Sequence, residues 1–123
     1  MYESLTLFST SAALARHAGA RQAQAAIDVA NADTPGFRAQ TLPDFEGVVG
    51  GGLAMRQTRP GHLGGAPSGL ATAIDAPGEA SPDGNNVSIE SEMFASAQAS
   101  REHGQALAIW RHATGLIRTA LGG

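Results

Sequence analysis

The segment Ala30-Asn31-Ala32-Asp33-Thr34-Pro35-Gly36-Phe37 decides how this chain folds, because it stops a long helical stretch and turns the chain back. Pro35 disfavours helix at Thr34, Gly36 accepts positive φ, and Asn31 and Asp33 carry side chains that bind nearby backbone groups. Upstream, from about Ser4 to Ala32, strong helix formers dominate, with Ala at 10 of the 21 positions from Ala12 to Ala32. Leu5, Phe8, Ala12 and Ala15 follow a 3, 4, 3 spacing, Ala26 and Val29 continue its phase, and Leu7 and Leu14 widen it. The pattern predicts one long helix with a narrow apolar face of mostly small side chains.

Downstream, a second boundary reads Asp83-Gly84-Asn85-Asn86-Val87-Ser88-Ile89-Glu90-Ser91-Glu92-Met93. Asp83 to Asn86 predicts a turn, Val87 and Ile89 a short extended piece, and Ser88 or Asn86 a helix N-cap. Glu90 and Glu92 then favour the positive helix N-terminus as water-facing dipole partners. Ile89 to Leu121 predicts a second helix with Ala106, Ile109, Ala113, Leu116 and Ala120 spaced 3, 4, 3, 4. Trp110, Ile117 and Leu121 flank that seam, so Leu5, Phe8, Ile109, Trp110, Leu116 and Ile117 are the candidate packing residues. Gly19, Gly104 and Gly115 interrupt the helices, either for close approach of another helix or as tolerated glycines.

Between the two boundaries the composition changes. All six prolines and 11 of the 16 glycines lie within positions 35–84, which forbids long helices there. The chain therefore divides into an N-terminal helix (1–34), a Gly/Pro-rich middle with possible short strands near Leu53–Gln57 or Ala71–Ile74 (35–84), and a C-terminal helix (85–123). The expected fold is mainly α, two long terminal helices pairing as a coiled coil or bundle around an irregular middle. With 24 alanines and six aromatics among 123 residues, the apolar surface for a closed core is small.

Most functional classes find no support in the residues. The net charge is −3, and all eight basic residues are arginine without clustering, which argues against nucleic-acid binding. Cysteine is absent, so disulfides and Cys-ligated zinc are excluded. No apolar run reaches the length of a membrane span, and no Sec-type signal pattern opens the sequence. His17, His62, His103 and His112 lack metal-site spacing; Asp83 with Asn85 lacks the remaining offsets of a calcium loop. The absence of lysine rules out a P-loop, Gly50 to Gly52 read as a joint, and Ser68 in Gly65–Gly69 lacks the setting of a nucleophile elbow. No enzyme, metal, cofactor or small-molecule substrate is expected. Phe37, Phe45, Phe94 and Trp110 are the candidate aromatic anchors, with Trp110 expected to pack within the helix pair and Phe37 and Phe45 either to pack against the helices or to meet a neighbouring subunit.

The phrase ANADTPGF after an N-terminal helix, followed by DGNNVSIESEM before a C-terminal helix, resembles the bacterial flagellar rod, hook and axial protein family. Arg38, Leu42, Pro43, Asp44 and Phe45 continue the likeness, which covers about 5–47 and 83–121 and leans toward proximal-rod subunits. The matching positions are Asn31, Thr34, Pro35, Gly36 and Phe37, then Asp83, Gly84, Asn85, Val87, Glu90, Glu92 and Met93. Two positions depart from the pattern: Asp28 stands where Asn is frequent, and Ser88 where an acid often follows the Val. The resemblance implies a structural subunit exported unfolded through the flagellar type III apparatus without a cleaved signal. Its helices would line the basal-body rod in the periplasm and contact copies of itself and other rod proteins. A small helical adaptor or export chaperone that binds a flagellar partner without polymerising is the alternative.

Overall fold

The computed structural model describes residues 2–46 and 72–122. The expectations placed on Gly50–Gly52, Leu53–Gln57, His62 and Ser68 lie outside the described residues. Helix α1 spans Tyr2–Ala30 and helix α2 spans Ile89–Ala120, and the two pack against each other as a hairpin. Between them, strand β1 (Gln40–Thr41) pairs antiparallel with strand β2 (Ile74–Asp75), Gln40 opposite Asp75 and Thr41 opposite Ile74. The expected mainly helical pair around an irregular middle is the fold observed.

Each helix starts and stops for a local reason. Ser88 is extended and caps α2 by accepting from Ser91 N, although at 3.4 Å the bond is long. At the far end, Leu121 N bonds back to Ile117 O (3.0 Å) and Arg118 O (3.2 Å), and Gly122 takes φ +81° where the helix ends. Helix α1 stops where Thr34 N bonds Asn31 O at 3.0 Å and Phe37 N bonds Thr34 O at 3.2 Å, two successive turns that leave the helical path.

The helix interface is built from small side chains at heptad spacing. Ser11, Ala18 and Ala25 are buried on α1, and Ala99, Ala106 and Ala113 on α2. A repeat of seven keeps a seam facing its partner only when the helices coil left-handedly about each other, and alanines let the axes come close. Two side-chain contacts fix an antiparallel register: Arg21 Nη1 donates to Glu102 Oε2 at 2.7 Å, and the Phe8 and Trp110 rings stand 5.4 Å apart at 35°. A register with 21 facing 102 sets Ala18 level with Ala106 and Ala25 level with Ala99.

The α1 stripe thus runs along Ser11, Ala18 and Ala25 rather than along the larger residues that suggested it. Leu5 is half exposed, and Ala26 and Val29 face outward. On α2 the seam alanines Ala106 and Ala113 are buried, whereas Ile109 and Leu116 are exposed and Ile117 is half-buried. The reason is steric: once alanines bring the axes close, the bulkier neighbours on each flank no longer fit between them. Gly19, Gly104 and Gly115 do not mark close approaches, since a Cβ at each would meet nothing within 4 Å.

Because the seam is alanine against alanine, extra volume there has nowhere to go. Ala106→Leu is expected to lower stability by about 1–3 kcal/mol, whereas Ala97→Leu, on the open flank of the same helix, should leave it nearly unchanged. Urea denaturation followed by helical circular dichroism compares the two; equal losses would place the seam elsewhere.

Candidate functional site

The last turn of α1 leaves carbonyls without helical partners; Asn31 and Ala32 meet them locally, and the carbonyls of the turn that follows are met by a residue more than fifty positions further on. Asn31 N donates to Ile27 O at 3.2 Å, and its Nδ2 donates to Ile27 O at 2.8 Å, holding the helix end. Asn31 Oδ1 accepts from Thr34 Oγ1 at 3.2 Å, which ties the turn to the helix it follows. Asn85 Nδ2 then donates twice, to Asn31 O at 2.9 Å and to Thr34 O at 2.8 Å. Its Oδ1 accepts from Val87 N at 2.8 Å, so the carboxamide is saturated and its orientation is unambiguous.

Two glycines permit this approach. Gly36 has φ +74° and donates its N–H to Asp83 O at 2.9 Å, while Gly84 has φ +88°. A Cβ on Gly84 would lie 3.3 Å from Gly36 Cα, so the two segments touch backbone to backbone where both must be glycine-like. The second segment is held in shape by itself: Asp83 Oδ1 accepts from Asn85 N at 3.0 Å, and Gly84 N donates to Ser81 O at 2.8 Å.

A second buried carboxamide extends the junction to the strands. Asn86 Oδ1 accepts from Ala39 N at 2.6 Å, its Nδ2 donates to Ala76 O at 3.2 Å, and its N donates to Phe37 O at 3.3 Å. Ala39 itself is buried, and its carbonyl receives Ala76 N at 2.9 Å. Asp28, wholly buried, accepts from Gln24 Nε2 at 2.9 Å and from Gln40 N at 3.1 Å, fastening β1 to the end of α1.

The motif residues therefore separate into two groups. Asn31, Thr34, Gly36, Phe37, Asp83, Gly84, Asn85 and Val87 meet in one junction. Pro35 sits exposed at its rim, and Glu90 and Met93 lie exposed on α2. Glu92 departs from the water-facing role expected of it. It is half-buried beside a cavity of about 30 Å³ lined by Arg21, Gln24, Gln40 and Thr41, and its carboxyl is pushed above the usual range by burial and then by Asp28's charge. The sequence offered Asn86 only as a turn residue or an alternative helix cap and did not single out Ala39; the doubled Asn of Gly84-Asn85-Asn86-Val87 was the available signal.

Of the aromatics, Phe8 and Trp110 pack together, Phe45 lies 5.6 Å from the ring of His17, Phe37 is half-buried, and Phe94 is exposed. His17 Nε2 must be the donor in its 2.7 Å bond to Pro43 O, since a carbonyl only accepts; its buried Nδ1 meets no partner among the described residues. Among the described residues no three His, Asp or Glu side chains gather as a metal site, and no helix is long and apolar enough to cross a membrane. The junction's chemistry is that of amides bonding amides: it holds geometry.

Two outcomes follow. Asn85→Ala removes the second donor from Asn31 O and Thr34 O, which keep Thr34 N and Phe37 N, and leaves Val87 N without its acceptor, so it should cost about 1–3 kcal/mol, the range for a buried polar group left unpaired; a loss near zero in urea denaturation would remove Asn85 from the centre of the junction. For Glu92, a folded-state pKa raised above the unfolded one means its contribution to stability is full below the unfolded pKa of about 4.5 and is lost as pH rises through the folded value. Glu92→Gln should therefore be more stable than the parent at pH 7 and equal to it near pH 4, as read from denaturation midpoints at the two pH values.

No family model matches the chain, and no curated protein is significantly similar to it in sequence.

Proposed function

We propose that the chain is a structural subunit of the bacterial flagellar basal-body rod, of the proximal-rod type known as FlgB, acting by assembly rather than catalysis. The single observation that carries the reading is the bonding of Asn85 to Asn31 O and Thr34 O. The two phrases that resemble the axial protein family are separated in the sequence by positions 38–82, and they are the two that interlock. A chance likeness in two separate loops would not require the matched residues to satisfy one another.

The physical consequences suit such a role. A hairpin with an alanine seam is slender and leaves Leu5, Ile109, Leu116, Met93 and Phe94 exposed, surface that neighbouring subunits in a tube would cover. Head-to-tail contacts between unlike faces generate an open helical assembly rather than a closed ring. In this reading the partners are other rod and basal-body proteins and further copies of the chain. Export proceeds through the flagellar type III apparatus, and the rod in the periplasm is its destination.

Mass spectrometry of purified hook and basal-body complexes tests the reading directly. A few copies per complex, in proportion to other rod proteins, are expected; absence with the other rod proteins detected would transfer the chain to the adaptor class. The turn is tested separately by Pro35→Ala with Gly36→Val, since a β-branched residue at φ +74° is strained. Motility in soft agar should be lost, and normal swimming would remove the turn from the mechanism.

A further inference from the structure

The charges of the hairpin are sorted along its length. Of the eleven acidic residues, seven lie where α1 ends and α2 begins: Asp33, Asp75, Glu79, Asp83 and Glu90 are exposed there, Glu92 is half-buried and Asp28 is wholly buried. Arg38 is the only arginine among the described residues of that end; Arg56 and Arg59 lie outside them. At the opposite end, where α1 begins and α2 finishes, Arg111 and Arg118 are exposed and Glu3 is the sole acid. Arg21 and Glu102 neutralise each other between the two.

Both ends also present apolar surface. The acidic end carries a groove of about 570 Å³ between the helices, lined by Ala26, Val29, Met93 and Ala97 among others, with Phe94 68% exposed beside it. The arginine-bearing end exposes Tyr2, Leu5, Leu116 and Leu121, the last by 77%. Like ends repel and unlike ends attract, so charge selects one orientation while the apolar patches supply contact area.

We propose that the acidic turn end of one copy docks onto the arginine-bearing terminal end of a second copy, so that the chain associates head to tail. The proposal rests on the reading of the chain as an assembling subunit and specifies which faces meet. Because the two faces differ, the contact is heterologous: each added copy offers a fresh acidic end or a fresh basic one. Symmetric pairing through either end would set like charges against each other.

Sedimentation velocity of the purified chain over a concentration series tests this. Association should be strong at low salt and weaken at about 0.5 M salt, where the Debye length falls to a few ångströms. Arg111→Glu with Arg118→Glu makes both ends acidic, and Asp33→Arg, Asp75→Arg, Glu79→Arg and Glu90→Arg together, all at exposed positions, make the head basic. Each variant alone should lose self-association at least about tenfold, and an equimolar mixture of the two should recover it, with circular dichroism establishing that both retain their helices. A parent chain that stays monomeric at every concentration and salt overturns the contact, as does a salt-insensitive oligomer or a mixture that fails to recover. Membership of the rod is read independently from basal-body composition, so the two failures are distinguishable.

Discussion

The carboxamide of Asn85 is the interaction on which the rest of the fold depends. The turn that ends α1 presents two carbonyls, Asn31 O and Thr34 O, and both accept from one side chain placed just before α2 begins. That single group ties the end of one helix to the start of the other and fixes where both chains enter the hairpin. Gly36 and Gly84 are the backbone condition for it, since both take positive φ and a Cβ on Gly84 would crowd Gly36 Cα at 3.3 Å. The segment from Thr34 to Asn85 is thereby closed at its base, and closing a long loop costs only slightly more than closing a short one. The middle can change in length or sequence while the junction holds.

The alanine seam makes the opposite trade. A buried methyl contributes only about 0.8 kcal/mol, so Ala18, Ala25, Ala99, Ala106 and Ala113 form a thin core whose merit is closeness rather than depth. The larger apolar residues are displaced to the flanks and ends, where a lone hairpin leaves them in water. A free chain built this way is marginal, and the same surface becomes favourable once neighbours cover it. Stability and assembly then draw on one set of residues.

Much of this was legible in the sequence because it rests on local rules. Proline confined to 35–84, together with most of the glycine, delimited the two helices, and Pro35 with Gly36 announced the stop after Ala30. The second boundary was legible in the same way, through Ser88 as cap. What the sequence concealed is tertiary. Periodicity weighted by residue size pointed to Leu5 and Val29, whereas the seam follows the smallest residues, and an alanine-rich helix offers several alanine stripes between which only the partner chooses. Asn86 was equally hidden, for a polar residue in a turn is ordinarily solvated, and nothing local says that its two ends will meet Ala39 and Ala76.

Asp28 shows how far a single departure from a pattern can be explained once its surroundings are known. It stands where axial proteins often have Asn, and in this fold its two oxygens receive two donors, Gln24 Nε2 and Gln40 N. A carboxamide has one oxygen, so Asn at this position would keep the bond from Gln40 N and meet Gln24 only with the Gln24 amide turned to offer its oxygen. The carboxylate accepts both donors, with Gln24 placed one turn earlier. The cost is a negative charge wholly buried near Glu92, with Arg21 drawn away to Glu102. The Glu92 carboxyl is raised first by its own burial and then by the charge at Asp28. The two acids at this end of the helix pair therefore have different origins, one placed to hold β1 on α1 and the other perturbed by its burial and by the first.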